Sequence, residues 1–263
     1  MIKFLLALAI SPLNTLWWAE DSVSDLPPSG LSTNLLAHYR FEEAKGDDKT
    51  NAVSPGTFTL QEFGEVATNL TGKITNAVSL YEKSIPTVSH LYFDFDNRWN
   101  FTNLNFAVSF WLFLRGDNYA NSIVGRMDVA ANPFQWYIVA SPGRTPRLIT
   151  KFGSSPSQTQ TSSSLTILPT NQWHFLVCNF YSSGSVDWII NNGPPISTTG
   201  IQPLYNETSR GFTVGSITNS ATFNDFNIDS LSIWTNKTLS SDEINFLYNS
   251  GSGKDYNDFG NSP

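Results

Sequence analysis

The sequence predicts an all-β fold: two antiparallel sheets packed as a sandwich or jelly roll, with one short helix near the C-terminal end. Three observations carry this. About twelve short runs rich in β-branched and aromatic residues recur at even spacing, divided by Gly, Pro, Asn and Ser turns. Asn171 to Gly193 reads as a hairpin: two such runs flank the polar turn Ser182-Ser183-Gly184-Ser185, and Asn192-Gly193 adds a strong turn signal. In the first of these runs Trp173, Phe175, Val177 and Asn179 share one face, and His174, Leu176, Cys178 and Phe180 the other. Both faces are mostly apolar, which places this strand between two layers.

Taken in order, residues 1–30 form a leader: an apolar tip from Phe4 to Ile10, an acidic patch (Glu20, Asp21, Asp25), then the linker signal Pro27-Pro28-Ser29-Gly30. Lys3 before the apolar run resembles the start of a signal peptide. Trp17 and Trp18 stand where small residues would precede a cleavage point, and the run is too short to span a membrane. An apolar tip that is retained needs a second surface to bury it, most simply another subunit. The jelly-roll domain is expected over residues 31–256, with a polar tail at 257–263.

Within the domain, Leu35–Phe41 is the first strand, followed by the acidic loop Glu42–Asn51. Gly56–Phe63 and Ala77–Tyr81 are further strands, and Tyr92 to Asp96 alternates apolar against acidic. Phe106–Leu114 is a strong strand. Ser122–Arg126, Phe134–Ala140 and Arg147–Phe152 follow, and Ser154–Ser164 is a Ser/Thr/Gln loop. After the hairpin come Phe212–Ile217 and Ile228–Trp234. The helix is capped by Ser240 or Ser241, carries Asp242 and Glu243 in its first turn, places Ile244, Leu247 and Tyr248 on one face, and stops at Gly251.

Composition narrows the function. The net charge is −7, with 15 Lys+Arg and no basic run, so nucleic acid is not the expected partner. Charged residues are only 14% of the chain, which suits a surface module relying on neutral polar groups. The one cysteine, Cys178, sits in a strand and is read as a small buried hydrophobe. Asn-x-Thr sequons begin at Asn69, Asn100, Asn206 and Asn236.

The order of motifs resembles the laminin-G-like, concanavalin A-like lectin jelly rolls, over roughly Asn34 to Tyr256. Leu35-Leu36-Ala37-His38-Tyr39-Arg40-Phe41-Glu42-Glu43 is similar to the family's opening strand, and Gly46–Asn51 to the polar loop after it. Gly72-Lys73-Ile74-Thr75-Asn76-Ala77-Val78-Ser79-Leu80 and Phe106-Ala107-Val108-Ser109-Phe110-Trp111 follow in family order, as do the Trp173-His174 strand and the Asn-Gly turn. Asn227–Trp234, Leu239–Ile244 and Leu247–Gly251 resemble the closing strand and helix.

The resemblance implies one calcium ion near the opening loop, with Asp47, Asp48, Asn51 and Asp229 as oxygen ligands. Lys49 stands where the family loop has a small residue. A carbohydrate surface is the second candidate. Sugars bind flat aromatic faces flanked by amides and carboxylates, and Asp117, Asn118, Tyr119, Trp136 and Tyr137 supply such a set. A glycosidase on this fold would align carboxylates along one strand; Asp94 and Asp96 alternate, but no Glu completes the set. His174 beside Trp173 matches a structural position of the family. The expected function is a non-enzymatic binding or structural module. It is displayed on a virus or phage particle, anchored by its N-terminus and contacting glycans or neighbouring subunits. The alternatives are a secreted lectin or adhesion protein with a cleaved signal peptide, and a glycoside hydrolase.

Overall fold

The computed structural model describes residues 26–81, 89–116, 121–127, 134–140, 143–154, 158–208, 211–215 and 225–260. Residues 1–25 of the 1–30 leader proposed as an anchor, and the candidates Asp117, Asn118 and Tyr119, lie outside them. Among the described residues no helix is long and apolar enough to cross a membrane.

The strands are β1 (Leu35–Tyr39), β2 (Gln61–Phe63), β3 (Val66–Thr71), β4 (Asn76–Tyr81), β5 (His90–Phe93), β6 (Phe106–Leu114), β7 (Asn121–Met127) and β8 (Phe134–Ala140). They continue with β9 (Pro146–Lys151), β10 (Thr159–Ser163), β11 (Trp173–Tyr181), β12 (Ser185–Ile190), β13 (Ile196–Thr199), β14 (Phe212–Val214) and β15 (Asp225–Thr235). One eight-stranded sheet runs β13-β12-β11-β6-β15-β4-β3, with β1 also paired to β15. A seven-stranded sheet runs β10-β9-β8-β7-β14-β5-β2. Every pairing in both is antiparallel.

The expected two-layer burial of the central hairpin is observed. Leu176, Cys178 and Phe180 of β11 enter the core between the sheets, beside Phe110 of β6 and opposite Trp136 and Ile138 of β8. Phe175 and Val177 face the other way, into a second apolar layer built by Trp111, Trp234, Leu31 and the helix α1 (Ser241–Tyr248). Two side chains fasten this outer layer. Asn179 Nδ2 donates to the Leu239 carbonyl at 2.9 Å, and its Oδ1 accepts from the Leu239 amide at 3.0 Å. Trp234 Nε1 donates to the Leu31 carbonyl at 2.8 Å. Ser240 caps α1 in a reciprocal box with Glu243.

Four expectations are corrected. Asn249, in the left-handed region at φ 46°, ends α1 ahead of Gly251. Asn tolerates that conformation and does the work expected of glycine. The C-terminal segment is more than a polar tail: Phe259 is buried and packs edge-on against His38. The Ser/Thr/Gln stretch holds an edge strand, β10, whose pairing to β9 is a matter of backbone bonds. The alternating run from Tyr92 stops being strand at Phe93, and Asp96 instead caps the short helical turn Asn97–Trp99.

Candidate functional site

The strand registers align one row of residues across the whole seven-stranded sheet. From Gln61 on β2 it passes through Tyr92 on β5, Thr213 on β14, Gly125 on β7 and Tyr137 on β8 to Ile149 on β9 and Thr161 on β10. Their strand neighbours Leu91, Phe93, Phe212, Val214, Val124, Trp136, Ile138 and Leu148 all belong to the central core. Side chains alternate across a strand, so the row lies on the outer face. None of its members belongs to either apolar cluster of the described residues.

The row has a shape. Tyr92 and Tyr137, both partly exposed, stand at either side of a floor made by Thr213 and Gly125, which are themselves buried. Three strand spacings separate the two tyrosines, about 14 Å. Gly125 is required there: a Cβ on it would fall 2.4 Å from Cβ of Tyr137 and 2.6 Å from the Trp136 carbonyl oxygen. Phe134 meets the Tyr137 ring edge to face at 4.7 Å between centroids. Partial burial raises the Tyr137 hydroxyl above its ordinary range, so it stays protonated and can donate a hydrogen bond.

Of the expected sugar-binding aromatic residues that are described, Trp136 and Tyr137, only Tyr137 is on this face. Trp136 is fully buried among Phe101, Phe106 and Phe212. Adjacent residues of a strand face opposite ways, so the pair could not serve one surface. Tyr92 was not anticipated as a ligand-binding residue. Its alternation with Phe93 shows that it faces outward, but its pairing with Tyr137 arises from sheet order.

A second cluster gathers where β1 leaves its sheet. β15 hands its edge from β4 (Asp225 to Ile228) to β1 (Leu231 to Trp234), and between them lies a bulge with Ser230 at φ 50°. Asp229, 1% exposed, fills the junction. Its Oδ2 accepts from the amides of Lys73 at 2.8 Å and Ile74 at 2.9 Å. Burial pushes its carboxyl up to about 7 against the pull of those amides, and the Glu42 charge adds to the rise. Phe41, at φ 60° and fully buried, turns the chain out of β1. Glu42 then accepts from the Asn76 amide at 3.1 Å, from Asn76 Nδ2 at 2.8 Å and from the Thr75 hydroxyl. Beside it, Arg40, Glu42, Glu43, Thr50 and Ala52 line an open cavity of about 320 Å³. Arg40 is paired with Asp255 at 2.8 Å. His38 bonds Ser232 Oγ through Nδ1 at 2.7 Å and stacks on Tyr256. Burial, with the nearby Arg40 charge, brings its imidazole down to about 3, so it is neutral at physiological pH.

Of the four residues expected to hold calcium, Asn51 and Asp229 are engaged by backbone amides. Asn51 is buried, its Oδ1 accepting from the amides of His38 and Val53, both at 3.1 Å. Asp229 is committed to the turn after β3. Asp47 and Asp48 are exposed. Among the described residues no three His, Cys, Asp or Glu side chains are grouped to hold a metal. The inward oxygens of the loop face Lys49. Its ammonium, fully buried, donates to the carbonyls of Ala44 at 2.9 Å and Asp47 at 2.6 Å, and pairs with Glu62 at 2.7 Å. That donor set is filled by a cation of the chain itself and does not fit a calcium ion.

Residues 89–245 match the family model described as the concanavalin A-like lectin/glucanases superfamily. The chain belongs to this family. No curated protein matches it in sequence. Among solved structures it is similar to the binding domain of Paraclostridial Mosquitocidal Protein 1, at 17% identity and a TM-score of 0.63 over 84% of this chain and 53% of that one. The botulinum neurotoxin DC binding domain in complex with SialylT gives 15% identity and a TM-score of 0.62, over 84% and 52%. Domain 4 of an extracellular arabinanase from Geobacillus stearothermophilus, in complex with arabinotriose, gives 20% identity and a TM-score of 0.61, over 84% and 98%. This family member therefore spans about half the length of the toxin binding domains and nearly all of the arabinanase domain. These likenesses are of fold.

Proposed function

We propose that this family member is a non-enzymatic glycan-binding module that lays sugar chains across the outer face of its seven-stranded sheet. The observation that carries the reading is the registered row in which Tyr92 and Tyr137 stand about 14 Å apart over a floor of Thr213 and Gly125. Tyrosine offers a flat apolar ring for a sugar's C–H face and a hydroxyl for its oxygens. Thr161 and Gln61, both exposed, extend the row with neutral polar groups. Two similar folds, solved in complex with SialylT and with arabinotriose, support a sugar as the partner.

Binding is favoured over hydrolysis by the state of the carboxylates. Hydrolysis needs an acid and a base or nucleophile flanking the scissile bond. Asp229, the carboxyl raised toward neutrality, is only 1% exposed and already holds two amides. Asp96 is bound to the Arg98 amide and guanidinium at 2.8–2.9 Å. The display of the module on a larger assembly, a virus or phage particle, rests on the apolar run Phe4 to Ile10. N-terminal sequencing of the native protein separates a retained anchor from a cleaved signal peptide. A glycan array probed with the full chain, followed by titration of the best ligands, tests the binding itself: Tyr137→Ala and Tyr92→Ala each weaken it while the fold persists.

A further inference from the structure

We propose that the loop between β1 and β2 is a cation site filled from within the chain: the Lys49 ammonium takes the position of a metal ion, and its removal turns the loop into a divalent-cation site. Lys49 occupies an inward position. Its backbone exchanges both hydrogen bonds with Leu60, at 2.8 and 2.9 Å, and neither residue is exposed. A lysine held there must find partners for its charge, because an unpaired buried ammonium is strongly unfavourable. The chain supplies two hydrogen-bond acceptors, the carbonyls of Ala44 and Asp47, and a counter-charge, the Glu62 carboxylate, in an ion pair at 2.7 Å. Glu62 is itself oriented by the Gly46 amide, which donates to its other oxygen at 2.9 Å. The ammonium therefore ties residues 44–47 to the edge strand β2.

Carbonyl and carboxylate oxygens around a cation are the hard ligands that calcium selects. With Lys49 in place the cage carries a carboxylate and an ammonium, and has no charge left to attract an ion. Without the side chain the same oxygens surround a space vacated by the lysine stem and carry a net negative charge. Water completes such coordination in open calcium sites. This inference stands apart from glycan binding, since it concerns a loop on the inward side of the β2 edge.

The test is thermal unfolding of the full chain, wild type, Lys49→Ala and Lys49→Ala/Glu62→Gln, in chelator and in calcium at ~10 mM, the range that weak extracellular sites require. The wild type melts at one temperature in both. Lys49→Ala melts lower in chelator and recovers about 2–4 °C in calcium. The double variant loses that recovery. Lys49→Met, whose stem still fills the space, is destabilised and insensitive to calcium. A wild-type melt that shifts with calcium or chelator overturns the proposal. So does a Lys49→Ala protein that calcium does not stabilise, including one unfolded in both buffers.

Discussion

Asp229 and Glu42 hold the same turn. Asp229 takes the amides of Lys73 and Ile74, and Glu42 takes Thr75 and Asn76. The turn precedes β4 at the place where β15 exchanges one neighbouring strand for another, and where no sheet partner satisfies these donors. Two carboxylates so committed are structural clamps, and the burial of Asp229 makes its half of the clamp depend on pH.

Folding raises the Asp229 carboxyl from 3.8 to about 7. The folded chain thus binds a proton over that interval, so this group's contribution is complete below 3.8 and is lost as pH rises through about 7. Asp229→Asn stays neutral and keeps an acceptor for both amides. Its stability relative to wild type should climb across the interval, by on the order of 2–4 kcal/mol at the upper end. Melting curves of the two proteins at matched pH measure this; a constant difference contradicts it.

His38 acts in the opposite sense. Its imidazole falls from 6.5 to about 3 on burial, so its contribution is full above 6.5 and is lost as pH falls toward 3. His38→Gln, which can still bond Ser232, should unfold less readily in acid. At pH 7 it should lose about 1–2 kcal/mol through lost ring contacts, stacked with Tyr256 and edge-on with Phe259. Urea midpoints at neutral and acid pH separate the two effects.

Neighbouring aromatic residues should behave in opposite ways. Trp136→Ala removes the centre of a fully buried ring cluster and should cost about 3–5 kcal/mol of stability. Tyr137→Ala should cost about 1 kcal/mol or less while weakening glycan binding about tenfold. Denaturant titration and calorimetry on the same two proteins check both statements.

Asn179 fastens the outer layer through two bonds to Leu239. Asn179→Ala leaves that buried amide and carbonyl unpaired, at about 2–4 kcal/mol. Hydrogen exchange should quicken in α1 before it quickens in β11.

The parts of the fold legible in the sequence were those built on apolar periodicity. β6, β11 and the face partition of β11 follow from which residues dislike water, and Ser240 with Glu243 announces α1. β3, β10 and β13 were missed; β10 and β13 are Ser- and Thr-rich edge strands that owe their conformation to a neighbour's backbone. The binding row was half legible. Tyr137 carries an aromatic signal, but its partner Tyr92 lies far away in sequence, and only the order β8-β7-β14-β5 brings them together. In the candidate calcium loop, Lys49 was visible as a departure from the family loop. Its three partners were not visible, because two are backbone carbonyls.

Calorimetric titration of the best array ligand into wild type, Tyr92→Ala and Tyr137→Ala tests the central claim most directly. The row across the seven-stranded sheet predicts about a tenfold loss of affinity in each variant, with melting temperatures near wild type. Undiminished binding in both variants, with the fold intact, would show that the ligand sits elsewhere on the molecule.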